Sequence, residues 1–301
     1  MEKFDPSSIT VDFSKEDICL GIDEAGRGPV LGPMVYACAY WPEKYSEDIK
    51  KHFKFNDSKQ LSAEKREKMF EDIKTHSNLM KYKIIVISPE EISFKMYKRE
   101  KVSLNDISHD AAYNLIKSAL DENVNITSVY IDTIGPPEKY ELSISRRINN
   151  DKIKVTVRSK ADKLFTCVSA ASIAAKVTRD KALEEWEFQE KNIYIDNMKC
   201  SGYPSDDKTV EWLNKNYNSV FGFPSFVRLS WSTVEKMFKD RKNDCEWENY
   251  VTEEEKQAHK KEDKNQMKLK MDKNKDEENK DEENKVNFFY EFNKMNFDVE
   301  L

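Results

Sequence analysis

The sequence predicts an α/β fold: one mixed, five-stranded sheet covered by helices, followed by a smaller helical extension. Three observations carry this. Five strand-like runs occur, each rich in β-branched and aromatic residues. The early runs follow one another closely, as hairpin strands do, whereas the later ones alternate with helical patterns, as parallel crossovers do. After Asn192 the strand signals fade and helical patterns continue alone.

Residues 1–17 read as a polar lead-in. The runs "ICLGI" and "MVYACAYW" give the first two strands. "AEKREKMFEDIKTH" is helical, with Met69, Phe70 and Ile73 on one face, and "YKIIVIS" is the third strand. "HDAAYNLIKSALDE" is a second helix, with Ala112, Leu115, Ile116 and Ala119 facing inward. "VYIDTI" and "IKVTV" supply the last two strands. The small-residue-rich stretch "CVSAASIAAKVTRDKALEEWEFQEK" then reads as one long amphipathic helix. Residues 18–192 therefore make the sheet domain, and 193–252 a helical extension. In the extension, "SWSTVEKMF" offers Ser232 and Glu235 three apart, a capping-box spacing.

The composition changes at Glu253. Between residues 253 and 285, 22 of 33 residues are charged, and "DEENK" occurs twice in succession. Such a segment buries too little apolar surface to offset its ordering entropy, so it reads as a disordered tether, with a solvated helix as the alternative. Residues 286–301, "VNFFYEFNKMNFDVEL", are too aromatic for an idle tail. They fit either an arm that docks on partner proteins or a segment folded back on this chain.

The net charge of −6 over 301 residues disfavours polyanions, but it is unevenly distributed. From Arg146 to Lys163 seven basic residues face two acidic ones, and local charge governs attraction to phosphates. The five cysteines form no C-x-x-C pair and have no histidine cluster beside them, which argues against a zinc site. Their odd number, and an N-terminus without an apolar h-region, predict a reducing, intracellular setting. No apolar run approaches the roughly 20 residues of a membrane span.

Four acids interrupt this pattern at strand ends. Asp23 and Glu24 close the first strand, Asp132 lies inside "VYIDTIG", and Asp162 lies between the last strand and the long helix. Acids brought together repel one another unless hard divalent cations neutralise them. Two such ions about 3.5–4 Å apart suit phosphodiester hydrolysis. Each acid also has a plain structural reading. Asp23 fits a turn cap, Glu24 an ion pair with Arg27, and Asp162 an N-cap. Asp132, flanked by Val129, Tyr130, Ile131 and Ile134, is the hardest to explain without chemistry.

The block "GIDEAGRGPVLGPMVYA" resembles the signature of the type 2 ribonucleases H, in the form of the eukaryotic catalytic subunit. Collinear blocks continue the resemblance over about residues 18–250: "NDSKQLSAEKRE", "SLNDISHDAA", "VNITSVYIDTIGPPEKY", "VTVRSKADKLF", "VSAASIAAKVTRD", "SGYPSDDKT" and "FGFPSFVRLSW". It implies a ribonuclease-H-like mixed sheet with flanking helices and a C-terminal helical extension. It also implies that Asp23, Glu24, Asp132 and Asp162 are catalytic and bind two Mg²⁺ or Mn²⁺ ions. Gly26, Arg27 and Gly28 match a loop that tests the ribose 2′-hydroxyl with backbone groups. Tyr203 matches the tyrosine that packs at the RNA–DNA junction. Lys59, Asn105, Lys160 and Arg179 match polar positions lining the substrate groove, although Arg179 also fits a helical ion pair with Asp180 or Glu184.

The resemblance implies cleavage of the RNA strand of RNA–DNA hybrids and of single ribonucleotides embedded in DNA. The cut falls on the 5′ side of the ribonucleotide and leaves 3′-hydroxyl and 5′-phosphate ends. It further implies a heterotrimer with two accessory subunits and a nuclear role in replication and repair. The alternatives are a hybrid-binding assembly protein that kept the fold, and a DNA-directed nuclease of the same superfold.

Overall fold

The structure, a computed structural model, describes residues 4–241 apart from 56–60, 101, 134, 192 and 195–199. The predicted spacer 253–285 and the aromatic segment 286–301 lie outside the described residues. Five strands appear where the patterns placed them: β1 (Ile18–Ala25), β2 (Met34–Pro42), β3 (Lys81–Ile87), β4 (Ile126–Asp132) and β5 (Lys154–Arg158). They form one sheet in the order β3-β2-β1-β4-β5. β1, β2 and β3 pair antiparallel, while β4 runs parallel to β1 and β5 parallel to β4. The close spacing of the first strands and the helical spacers before the last two are the sequence cause of this mix.

The chain winds helices between and after the strands. In order they are α1 (Ser46–Phe53), α2 (Ala63–Thr75), α3 (Pro89–Tyr97), α4 (Leu104–Asp121), α5 (Pro137–Ile148), α6 (Ala161–Leu164), α7 (Thr166–Glu184), α8 (Asp207–Lys215) and α9 (Ser232–Arg241). Strand alternation sorts the core into two layers. Ile18, Leu20 and Ile22 meet Leu115, Ile116 and Ala119 of α4 on one face. Cys19, Ala37, Ala39 and Trp41 meet Ala170, Ala171 and Ala174 of α7 on the other. Covered on both faces, β1 and β2 need continuous apolar runs. An added Cβ on Gly21 would stand 2.2 Å from the Cys167 carbonyl carbon, so the α7 backbone rests directly on β1. That contact explains the small residues of α7.

Three local expectations are corrected. The long helix ends at Glu184 instead of continuing through "EWEFQEK". Trp186 and Phe188 turn inward, with ring centroids 5.0 and 5.5 Å from that of Phe226, and burying them is incompatible with a straight helix. The lead-in is not merely polar. Phe13 is buried against Tyr40, and Asn78 holds the Pro6 and Ile9 carbonyls. At α9, Ser232 is the first helical residue, and the Glu235 carboxylate accepts from the Tyr97 hydroxyl at 3.4 Å. The complete capping box lies instead at Ser103 and Asp106, which open α4.

The extension packs on the sheet through a third cluster. Val30 and Leu31, from the β1–β2 connection, join Trp212, Leu213, Phe226, Val227 and Val234 in it. Residues 18–192 and the described part of the extension thus belong to one compact unit.

Candidate active site

The acids meet because β1 and β4 are parallel neighbours. Ile22 pairs with Ile131, so Asp23 and Asp132 follow side by side at adjacent strand ends. Asp132 pairs in turn with Arg158 on β5. Beyond β5 the chain reverses through Lys160, whose left-handed φ of 60° turns it into α6. The Ala161 amide then donates to Asp132 Oδ1 at 2.8 Å, which sets Asp162 beside the strand ends. This is the C-terminal edge of the parallel strands, where open α/β sheets place their ligands.

The electrostatics are those of an acid cluster. Asp23 and Asp162 are buried at 6% and 7% exposure. Burial pushes the Asp23 carboxyl well above the usual carboxylate range, and the charges of Glu24 and Asp132 push it further, against a hydrogen bond from Ser172 of α7. A donor set of carboxylate oxygens suits hard divalent cations, and their mutual repulsion is what such a cation relieves. The residues therefore fit the predicted metal. Within the cluster, Asp23 Oδ1 accepts the Glu24 amide at 2.7 Å and Asp132 Oδ1 accepts that of Ala161.

Beside the acids lies the Gly26–Arg27–Gly28 loop. Gly26 has a φ of 79°, and a Cβ there would fall 1.9 Å from Arg179 Nε. Only glycine fits this position. The Arg27 guanidinium donates to Asn105 Oδ1 at 2.5 Å and to the Ser108 hydroxyl, which ties the loop to α4. A Cβ on Gly28 would approach Tyr203 Cε1 to 2.9 Å, so the half-exposed Tyr203 ring lies against the loop. The turn carrying that ring is anchored by Val30, whose amide donates to the Gly202 carbonyl at 2.7 Å.

Asp206 completes that anchorage, accepting from the Ser201 amide and hydroxyl and from the Thr209 hydroxyl. The Ser201 amide first, and its hydroxyl next, hold the Asp206 carboxyl down to about 2. An acid held low stabilises the fold above its unfolded value of about 4, and the gain is lost as the pH falls through its folded value. The difference in melting temperature between wild type and Asp206→Asn is therefore expected to be full above about pH 4 and to shrink toward zero near pH 2. Melting curves of both proteins across this range check it.

The structure thus brings together Asp23, Glu24, Asp132, Asp162, Gly26, Arg27, Gly28, Asn105 and Tyr203, with exposed Lys160 beside Asp162. Lys59 lies outside the described residues. Arg179 departs from expectation. It is 6% exposed and points under the loop, where Nε donates to the Pro33 carbonyl at 3.1 Å and Nη2 to that of Leu31 at 3.3 Å. Asp180, its expected partner, instead takes Lys176 and Arg66. Arg179 supports the loop from behind.

Sequence reasoning gave no role to Ser172, Arg228 or Trp231. Arg228 is fully buried, donating from Nε to the Gly32 carbonyl at 2.8 Å, from Nη1 to that of Arg27 at 3.0 Å and from Nη2 to that of Gly26 at 2.6 Å. Trp231 Nε1 donates to the Gly28 carbonyl at 3.0 Å. One signal was available: an arginine inside the apolar run "FVRLSW" must find several acceptors if buried.

A five-stranded mixed sheet in this order, with acids gathered at the ends of its two central parallel neighbours, defines a metal-dependent nuclease of the ribonuclease-H-like class. The model of the family described as Ribonuclease HII matches residues 20–234, and the chain belongs to that family. It is 47% identical over 240 residues to a ribonuclease H2 subunit of Mus musculus, covering 80% of this chain and 79% of that protein. The corresponding Arabidopsis thaliana protein is 48% identical over 225 residues, 75% of each chain. The crystal structure of ribonuclease H2 from Pyrococcus horikoshii OT3 superposes with a TM-score of 0.61 at 33% identity, over 75% of this chain and all of that one. The protein is accordingly an enzyme, a metal-dependent ribonuclease H acting on RNA–DNA.

Proposed function

We propose that this chain is the catalytic subunit of an enzyme that cuts the RNA strand of RNA–DNA hybrids and single ribonucleotides embedded in DNA. The cut falls 5′ of the ribonucleotide and leaves 3′-hydroxyl and 5′-phosphate ends. The observation that carries this reading is the seat of Tyr203 on Gly28, beside the acid cluster. An aromatic face, a glycine loop open to a 2′-hydroxyl and a set of carboxylates then share one edge of the molecule. A nuclease directed at DNA alone has no use for the first two together.

Asp23, Glu24, Asp132 and Asp162 would hold the divalent cations, Mg²⁺ or Mn²⁺, two per site. Bound there, the ions would supply an activated water and charge neutralisation at the leaving oxygen. The chain's own groups do the rest. The loop approaches the ribose, and Tyr203 stacks at the junction where RNA gives way to DNA. Asn105 orients Arg27. The exposed Arg158, Lys160 and Lys163, which flank Asp132 and Asp162 in register or in sequence, draw the phosphate backbone toward this edge. All four acids are retained, which favours an enzyme over an assembly protein.

Phosphate contacts carry no sequence information but make binding fall with salt. Lys160→Ala is expected to reduce the slope of log affinity against log salt by about one, while leaving the preference for a ribonucleotide unchanged. A salt titration of binding with ribonucleotide-containing and all-DNA duplexes checks this.

The relatives are named as one subunit of ribonuclease H2, and we assign this chain to a heterotrimer with two accessory subunits. Its aromatic segment 286–301 would dock on them, and the work of removing ribonucleotides after replication would place the enzyme in the nucleus. One assay tests the catalytic reading. Duplexes with one ribonucleotide, with a full RNA strand and with no RNA are incubated with the enzyme and Mg²⁺. Cleavage of the first two alone supports it, and cleavage of the all-DNA duplex sinks it.

A further inference from the structure

The loop that faces the ribose is held by a residue far away in sequence. Gly26, Arg27 and Gly28 each surrender their carbonyl to the extension: the first two to Arg228, the third to Trp231. The Arg228 guanidinium also lies over the Trp231 ring, 4.9 Å from its centroid. Peptides are trans throughout the described residues, so a carbonyl and the amide that follows it point in opposite directions. Drawing the Gly26 and Arg27 carbonyls inward therefore turns the Arg27 and Gly28 amides outward. Among the described residues neither amide donates to an acceptor, and Gly28 is exposed. Two parallel donors are left facing the place where the proposed function seats a ribose.

We infer that Arg228 is a positioning residue for ribonucleotide recognition: its three-pronged hold on the Gly26, Arg27 and Gly32 carbonyls aims the Arg27 and Gly28 amides at the 2′-oxygen. The inference rests on the proposed function and adds the group that sets its selectivity. Geometry makes arginine necessary. Three carbonyls spread over a seven-residue loop need a planar fork with separated N–H groups. A lysine ammonium presents its donors from a single point and cannot span them. Arg179 adds a second brace from α7, since it fills the space under Gly26. The loop is thus clamped between the long helix and the extension. This gives the extension a role in selectivity that its sequence, far from the acids, does not announce.

The test is a binding ratio. Affinities for a DNA duplex carrying one ribonucleotide and for the matched all-DNA duplex are measured by fluorescence anisotropy, using the full chain with its partner subunits. The Asp132→Asn background keeps the duplex intact. Arg228→Lys in that background is expected to cut the preference for the ribonucleotide about tenfold, the worth of two modest hydrogen bonds, with all-DNA affinity little changed. Ile73→Ala, a cavity under α2 in a layer that holds none of the loop residues, is expected to lower the melting temperature and leave the ratio intact. If Arg228→Lys does not fold, Trp231→Phe carries the test with an expected loss of about fivefold. A folded Arg228→Lys protein with the parent's ratio overturns the inference. So does an equal loss in Ile73→Ala. A parent with no preference overturns the underlying reading, and this inference with it.

Discussion

Asp132→Asn is expected to lower the cleavage rate by on the order of 10³-fold or more while leaving the protein folded. The two oxygens of the side chain have different tasks. Oδ1 accepts the Ala161 amide, and an Asn carbonyl oxygen can keep that bond, so the turn into α6 should survive. What disappears is the negative charge and one anionic oxygen for a cation. The substitution should also relieve strain. Asp23 is held above its normal range by burial and by the charges of Glu24 and Asp132. An acid raised in the folded state costs stability once the pH exceeds its unfolded value of about 4, so at neutral pH removing Asp132's charge should raise the melting temperature. Added Mg²⁺ should then stabilise wild type more than the variant, because a ligand stabilises only the state that binds it. Parallel melting curves and cleavage assays decide the point. A dead variant that is also unfolded would leave the charge without a demonstrated role. An active one would remove Asp132 from the site.

Gly21→Ala is expected to cost about 3 kcal/mol or more, a large share of the roughly 5–15 kcal/mol by which a domain is stable. A methyl group at this position would lie 2.2 Å from the Cys167 carbonyl carbon and 2.3 Å from the Val168 nitrogen. Both are backbone atoms, so no side-chain rotation makes room. The whole of α7 would have to lift from β1, opening the layer that contains Ala170, Ala171 and Trp41. Ser172, the hydroxyl beside Asp23, would move with it. The urea midpoint measures the effect. A midpoint like that of wild type would mean that α7 does not rest on β1 as described.

Much of this was legible in the sequence, for identifiable reasons. Strands announce themselves when both faces are covered, and "ICLGI" with "MVYACAYW" could hardly be anything else. The mixed order followed from the spacing between runs. Asp132 stood out because an acid in an apolar strand has few structural excuses. The long helix was overextended because Trp186 and Phe188 continue an amphipathic pattern locally. Their burial against Phe226 is a long-range fact that periodicity does not contain. The packing of Arg179 is hidden from the sequence for a related reason. Its type suggested phosphate, but the space beneath Gly26 decided its direction. Arg228 was invisible as a functional residue because its partners are backbone carbonyls about two hundred positions away. The family resemblance located the site; only the coordinates show how its loop is held.

In the proposed function, carboxylates and a ribose-facing loop on one edge make a ribonucleotide-directed, cation-dependent endonuclease. The most direct measurement follows an end-labelled duplex containing one ribonucleotide, incubated with the purified enzyme and its partner subunits, with Mg²⁺ or with a chelator. The expected result is a single cut 5′ of the ribonucleotide, a 3′-hydroxyl on the upstream fragment, and no cut under chelation or in the all-DNA control. Cleavage that persists under chelation, that falls 3′ of the ribonucleotide, or that proceeds equally on all-DNA duplex would contradict it.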